Sequence, residues 1–242
     1  MCEGARFSNE EMEAYVVAAK WRYELLTDVG KLSHLCRLKG EYDHVGIMFK
    51  NVKRSDFVRL RPFWREDREA EYTEEVAFDF MASLKARFQK FGGPYYSSAE
   101  ELDLYKLDES RVNAQKLLKK CIQIAASDPR NTWFYRFDAL FGCFPFRAWC
   151  LCAPCDAGVE GVAPSTCSAL VLRAIAASMQ EGSLDDDGVA MRTLGMRRET
   201  CSRRFLTAHT PLSAVDHLLS VGLVENMVYG NYPPVYMTMR RI

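Results

Sequence analysis

The chain of 242 residues carries no net charge, because 32 Lys and Arg are balanced by 32 Asp and Glu. Nucleic-acid binding through bulk charge is therefore not expected, and no nucleic-acid partner is assigned. No apolar run reaches the length of a membrane span, so no transmembrane segment is expected. The N-terminal Met1-Cys2-Glu3-Gly4-Ala5-Arg6 has no apolar signal core, is not acid-poor like a transit peptide and has no glycine in second place for myristoylation. Internal repeats and low-complexity stretches are missing too, and no compositional shift marks a linker. Nine cysteines, an odd number, without a secretory signal fit reduced thiols in the cytosol better than a disulfide framework, which gives a cytoplasmic expectation. What remains is the composition of an ordinary globule, 48% hydrophobic and 26% charged.

Pro164-Ser165-Thr166-Cys167-Ser168-Ala169-Leu170-Val171-Leu172-Arg173-Ala174-Ile175 reads as a helix entered from a loop. Ser165 or Thr166 caps its first turn, and Leu170, Leu172, Ala174 and Ile175 form its apolar face. Cys167 falls in the first turn, where unpaired N–H groups and the positive end of the helix dipole favour a thiolate. Such a cysteine is a candidate nucleophile if an imidazole reaches it. Taken alone it is more simply a buried, inert thiol.

In chain order, Glu10–Tyr23 carries Met12, Tyr15, Val16, Ala19 and Tyr23 at helical spacing and predicts an amphipathic helix. A second helix is expected over 28–38, stopping at Gly40. From His44 to Phe49 the chain reads as a buried strand. Phe57–Trp64 predicts a strand limited by Pro62, and the charged run 65–75 a solvated loop or strand edge. Val76–Phe78 predicts a short strand, Met81–Phe91 a helix stopped by Gly92-Gly93-Pro94, Leu102–Leu107 an alternating strand and Ser110–Ala126 a helix that ends before Asp128-Pro129. Trp133–Leu151 is strongly aromatic and suits core or cleft wall. Loops follow at 156–164 and 183–188, a helix at Pro211–Leu219, a turn at Tyr229–Pro234 and a closing strand at Val235–Met239. The fold expectation is one α+β domain over 25–242, an antiparallel sheet packed on helices, with residues 1–24 as a peripheral helical extension.

Two of these local contexts complement each other. A thiolate nucleophile needs an imidazole within reach and a third polar group to orient the ring. Cys167 opens a helix, and His44 enters a strand. Tyr42-Asp43-His44-Val45-Gly46-Ile47 resembles the (Y/S)-x-HVG-(I/M) strand of the circularly permuted papain-like enzymes of the YaeF/YiiX type, and Thr166-Cys167-Ser168-Ala169-Leu170-Val171 resembles that family's (F/T)CSELV helix start. These enzymes are relatives of the NlpC-type peptidases and of the lecithin:retinol acyltransferase group. Glu69-Ala70, Glu75-Val76, Leu84, Gly92-Gly93, Leu104-Tyr105-Lys106-Leu107 and Thr210-Pro211-Leu212-Ser213 extend the resemblance over roughly residues 20 to 220. It implies a permuted papain-like (NlpC-like) fold with Cys167 as nucleophile, His44 as general base and an acid near Glu69, with Glu71 competing for that place. No cofactor is implied. The implied substrate is a small molecule, lipid or peptide with an amide, ester or peptide bond. The family's Glu after Cys-Ser is Ala169 here. The alternative expectation is accordingly a catalytically degenerate papain-like fold that binds a lipid or a protein.

Other constellations carry less. Cys143, Cys150, Cys152 and Cys155 offer four thiols, but their spacing is not the paired zinc form, and interleaved Phe144, Phe146, Trp149 and Leu151 suggest packing, so no metal is assigned. His34, His209 and His217 have no accompanying cysteine or carboxylate pattern. Arg192, Arg197, Arg198, Arg203 and Arg204 form a basic cluster that reads first as a solvated face and second as a contact for an acidic partner or lipid headgroup.

Overall fold

The computed structural model describes residues 11–21, 42–65, 70–80, 86–126, 167–179 and 211–226. They build an antiparallel six-stranded sheet in the order β4-β3-β2-β1-β5-β6. Its strands are β1 (Glu13–Lys20), β2 (His44–Lys50), β3 (Val76–Phe80), β4 (Ala86–Lys90), β5 (Glu101–Leu107) and β6 (Val224–Asn226). The helices are α1 (Arg54–Leu60), α2 (Pro94–Ser97), α3 (Ala114–Ala126), α4 (Cys167–Met179) and α5 (Pro211–Ser220). The α+β class with an antiparallel sheet on helices is as the sequence indicates. Among the described residues no helix is long and apolar enough to cross a membrane.

The sheet is covered on both faces, and alternation along each strand sorts its side chains between two cores. Ala14, Val16 and Ala18 of β1, Val45, Ile47 and Phe49 of β2, Val76 and Phe78 of β3 and Phe88 of β4 share the larger core with α3, α4 and α5. Tyr15, Val17 and Ala19, with Met48, Ala77 and Leu104, face the other way onto Trp21, Phe91 and Tyr96. In α3, Leu117, Leu118, Cys121, Ile124 and Ala125 form the stripe that meets the sheet layer.

This double cover explains the first departure from expectation. Of the helix expected over 10–23 and the peripheral helical extension expected over 1–24, the described part is neither helical nor peripheral: β1 runs through the middle of the sheet, between β2 and β5. Every residue from Ala14 to Ala19 is buried, so the period-two signal of a half-exposed strand is erased and a chance three-and-four spacing survives. The segment expected as a strand at 57–64 is α1 followed by a short 3-10 turn, Arg61–Phe63. Phe57 and Leu60, three apart, bury one helical face, while Val58 and Arg59 are exposed. The helix expected over 81–91 is replaced, within its described part, by edge strand β4, whose Phe88 lies on Phe78 with ring centroids 4.8 Å apart. Gly92 and Gly93 thus end a strand.

The strands at 44, 76 and 102 and the helices at 114, 167 and 211 stand where the sequence places them. β6 had no expectation. The helix at 28–38, the aromatic stretch 133–151, the four-cysteine run, the Arg192–Arg204 cluster, the loops at 156–164 and 183–188, the turn and closing strand after 229, and His34 and His209 lie outside the described residues.

Candidate active site

His44 is the first residue of β2 and pairs with Ala19 of β1. Cys167 is the first residue of α4, the helix that packs across β2 and β3 on the larger-core side. The two therefore meet at one end of the sheet, although the intervening chain includes the rest of the strands from β2 to β5. The Cys167 sulfur lies in hydrogen-bond and charge contact with the imidazole, and the N–H of Val45, next in sequence to His44, donates to the same sulfur. Both residues are buried, with 8% of Cys167 and 7% of His44 exposed.

These neighbours set the protonation of the pair. Burial alone pushes the thiol up, but the charge and hydrogen bond of His44 and the Val45 N–H bring Cys167 below its ordinary value. The Ser168 hydroxyl, next in sequence, is buried without a hydrogen-bond partner. Burial opposes charge on the ring as well, yet the Cys167 sulfur and the Asp79 carboxylate raise His44 to about 10. Each group favours the charged form of the other, the sulfur supporting the imidazolium and the imidazolium the thiolate. Cys121 is a contrast: fully buried in α3, its thiol is pushed well up by burial.

A carboxylate stands behind the ring. Asp79 of β3 is fully buried, and its Oδ2 lies 3.8 Å from His44 Nε2. That separation is an ion-pair contact and too long for a hydrogen bond. The Tyr96 hydroxyl donates to the same oxygen at 2.6 Å and Gln89 Nε2 at 2.9 Å. Arg65 Nη1 reaches Gln89 Oε1 at 3.5 Å. Around the imidazole, Trp21 and Tyr95 place their rings 6.0 Å away, Tyr95 edge-on. Trp21 is pinned by Nε1 donating to the Tyr95 carbonyl and to Ser98 Oγ, each at 3.2 Å, and by its own N–H donating to Asp43 Oδ2 at 2.9 Å.

The structure thus brings His44 and Cys167 together. It does not bring Glu71 to them: Glu71 is exposed on the approach to β3. Glu69 lies outside the described residues, and among the described residues the acidic group at the imidazole is Asp79. Sequence reasoning passed over Asp79 by ending its strand at Phe78. The available signal was a lone carboxylate inside the apolar run Val76-Ala77-Phe78-Asp79-Phe80, since Asp is almost never fully buried without a partner. Tyr96 and Gln89 left no comparable trace. His217 sits partly buried in α5. Among the described residues no group of three or more His, Cys, Asp or Glu has the arrangement of a metal site.

The chain matches no protein-family model, and neither the curated proteins nor the solved structures include one that it resembles detectably.

Proposed function

We propose that this protein is a cysteine-dependent hydrolase or acyltransferase acting on an amide, ester or peptide bond, with Cys167 as nucleophile, His44 as its acid–base partner and Asp79 as the group that supports the imidazolium. The observation that carries the reading is a thiol held low by an imidazole at the first residue of a helix. A strand-borne histidine that precedes a helix-borne cysteine in the chain also suits the permuted papain-like architecture suggested by the two motifs.

With Nε2 turned toward Asp79, Nδ1 is the nitrogen left to exchange a proton with the sulfur. In the forward step the thiolate attacks the carbonyl carbon and a C–S bond forms. The backbone N–H of Cys167, unpaired within its helix, is placed to donate to the developing oxyanion. The imidazolium gives its proton to the leaving nitrogen or oxygen as that bond breaks. The thioacyl group then passes to water or to a second acceptor, whose proton returns to the imidazole.

The test is alkylation by iodoacetate across pH, with mass mapping to separate the nine cysteines. One fast site, Cys167, reactive well below the free-thiol range near 8.5, is expected. Cys167→Ala should remove the fast phase, and His44→Ala should shift it to the pH of an ordinary or buried thiol. A fast phase that survives Cys167→Ala removes the nucleophile and leaves the fold as a binding module.

A further inference from the structure

We propose that Tyr96 is a positioning residue of this site, holding the Asp79 carboxylate against His44 through a hydroxyl for which Gly46 leaves the room. The inference rests on the proposed Cys–His reading for its catalytic meaning but on packing for its geometry. Tyr96 is buried, and in α2 it is fixed by the turn that follows Gly93-Pro94, with Ser97 N donating to Gly93 O and Ala99 N to Tyr96 O at 3.1 Å each. Its hydroxyl donates to Asp79 Oδ2 at 2.6 Å. Gly46 sits on β2 two residues from His44, on the same face. A Cβ at position 46 would stand 2.7 Å from the Tyr96 hydroxyl oxygen and 3.1 Å from Asp79 Cβ. The first distance is one that real Cβ contacts essentially never show, so an alanine here must displace the phenol. The glycine of the His-Val-Gly strand is therefore a requirement of this hydrogen bond.

The groups that face one another are few. His44 meets the Cys167 thiol from α4, Asp79 from β3 and the ring of Tyr95 from α2. Asp79 meets His44, Tyr96 and Gln89, and through Gln89 the Arg65 guanidinium. Arg87, its cross-strand partner on β4, turns instead to the carbonyls of Ala86 and Ala125. Of the two donors on Asp79 Oδ2, Tyr96 makes the shorter bond. Without it the carboxylate is held by Gln89 alone and is free to turn toward that amide, away from the ring, which weakens the anionic support of the imidazolium.

The test is an NMR titration of His44 in Cys167→Ala and in Cys167→Ala/Tyr96→Phe, where the thiolate no longer contributes. The phenylalanine should lower the titration midpoint of His44 by about one pH unit, a tenfold loss of proton affinity. Gly46→Ala in the same background should lower it too, and adding Tyr96→Phe to Gly46→Ala should lower it little further, because both act through one hydrogen bond. A midpoint unmoved or raised by Tyr96→Phe in a protein with an intact amide spectrum overturns the role. Should Tyr96→Phe lose the fold, Gly46→Ala alone decides by the same criterion. The proposed function fails separately, by the absence of fast alkylation at Cys167 in the wild-type chain.

Discussion

Asp79→Asn isolates the charge behind the imidazole while keeping its shape. The amide oxygen still accepts from Tyr96 and Gln89, so the change is chiefly the loss of one negative charge 3.8 Å from His44 Nε2. At an effective dielectric of about 20, unit charges at that distance attract by about 4 kcal/mol, an upper bound on what Asp79 supplies to the ring. His44 is raised to about 10 against burial, with the Cys167 sulfur as the larger support and Asp79 as the smaller. The share that disappears with the carboxylate is therefore well under that bound, and we expect a fall of ~1–2 pH units in imidazolium loss. The assay is the pH–rate profile of Cys167 alkylation by iodoacetate. Its acid limb reports thiolate formation, and its alkaline limb reports loss of the imidazolium that draws in the anionic reagent. Asp79→Asn should move the alkaline limb down and the acid limb less, because the ring is charged on both sides of the acid limb. An alkaline limb that stays at its wild-type pH refutes the electrostatic reasoning, and a limb that moves only in step with a lowered melting temperature reduces it to a packing effect.

The same pair makes stability depend on pH in a defined way. Against an unfolded imidazole at 6.5, folded His44 at about 10 contributes stability that is complete below 6.5 and is lost as pH rises through about 10, whereas Cys167, lowered from 9.0, contributes stability that is complete above 9.0 and is lost as pH falls through its folded value. Urea midpoints of wild type minus those of Cys167→Ala should therefore decline as pH rises from 9 through about 10, where the thiol contribution is already complete and the imidazolium is being lost, and a difference independent of pH contradicts the ion pair. Phe78→Ala removes a fully buried ring stacked on Phe88 beneath the helices and should cost ~3–5 kcal/mol in denaturant unfolding, whereas Val58→Ala, on the exposed face of α1, should stay within ~0.5 kcal/mol.

How much of this was legible in the sequence depended on what covered each residue. His44–Phe49, Leu102–Leu107 and Ala114–Ala126 carry patterns or boundaries that survive in the fold, and the helix opening at Cys167 begins where its cap signals point. The central strand β1 was hidden by its own burial, since a segment apolar on both faces offers no period to read. Strand β4 was hidden by Phe88 and Phe91, whose spacing of three suits a helix as well as a strand and its exit. For the site, local chemistry singled out His44 and Cys167, the proposed base and nucleophile, because helix entry and strand entry are local properties. The acid is a matter of sheet register: Asp79 reaches His44 only because β3 lies beside β2 with Phe78 opposite Ile47, and no short motif encodes that pairing.

That register explains why the site is assembled from so many segments. β2 supplies the imidazole and, two residues on, the gap at Gly46; β3 supplies the carboxylate; β4 and α2 supply the two donors that hold it; α4 delivers the sulfur from the opposite face of the sheet. A one-residue slip between β2 and β3 would turn Asp79 to the helix-side core, beside Ile47 and Phe49, and leave a buried anion without partners. The cost of that alternative exceeds anything a single apolar contact returns, so the buried carboxylate also argues for the register itself. Asp79→Leu should on this reasoning preserve or raise the melting temperature, because a well-packed apolar side chain commonly matches a buried ion pair in stability, while it abolishes the raised affinity of His44 for its proton. A large loss of stability in Asp79→Leu with the His44 titration unmoved would place the carboxylate in the architecture alone, and would separate it from the chemistry of Cys167.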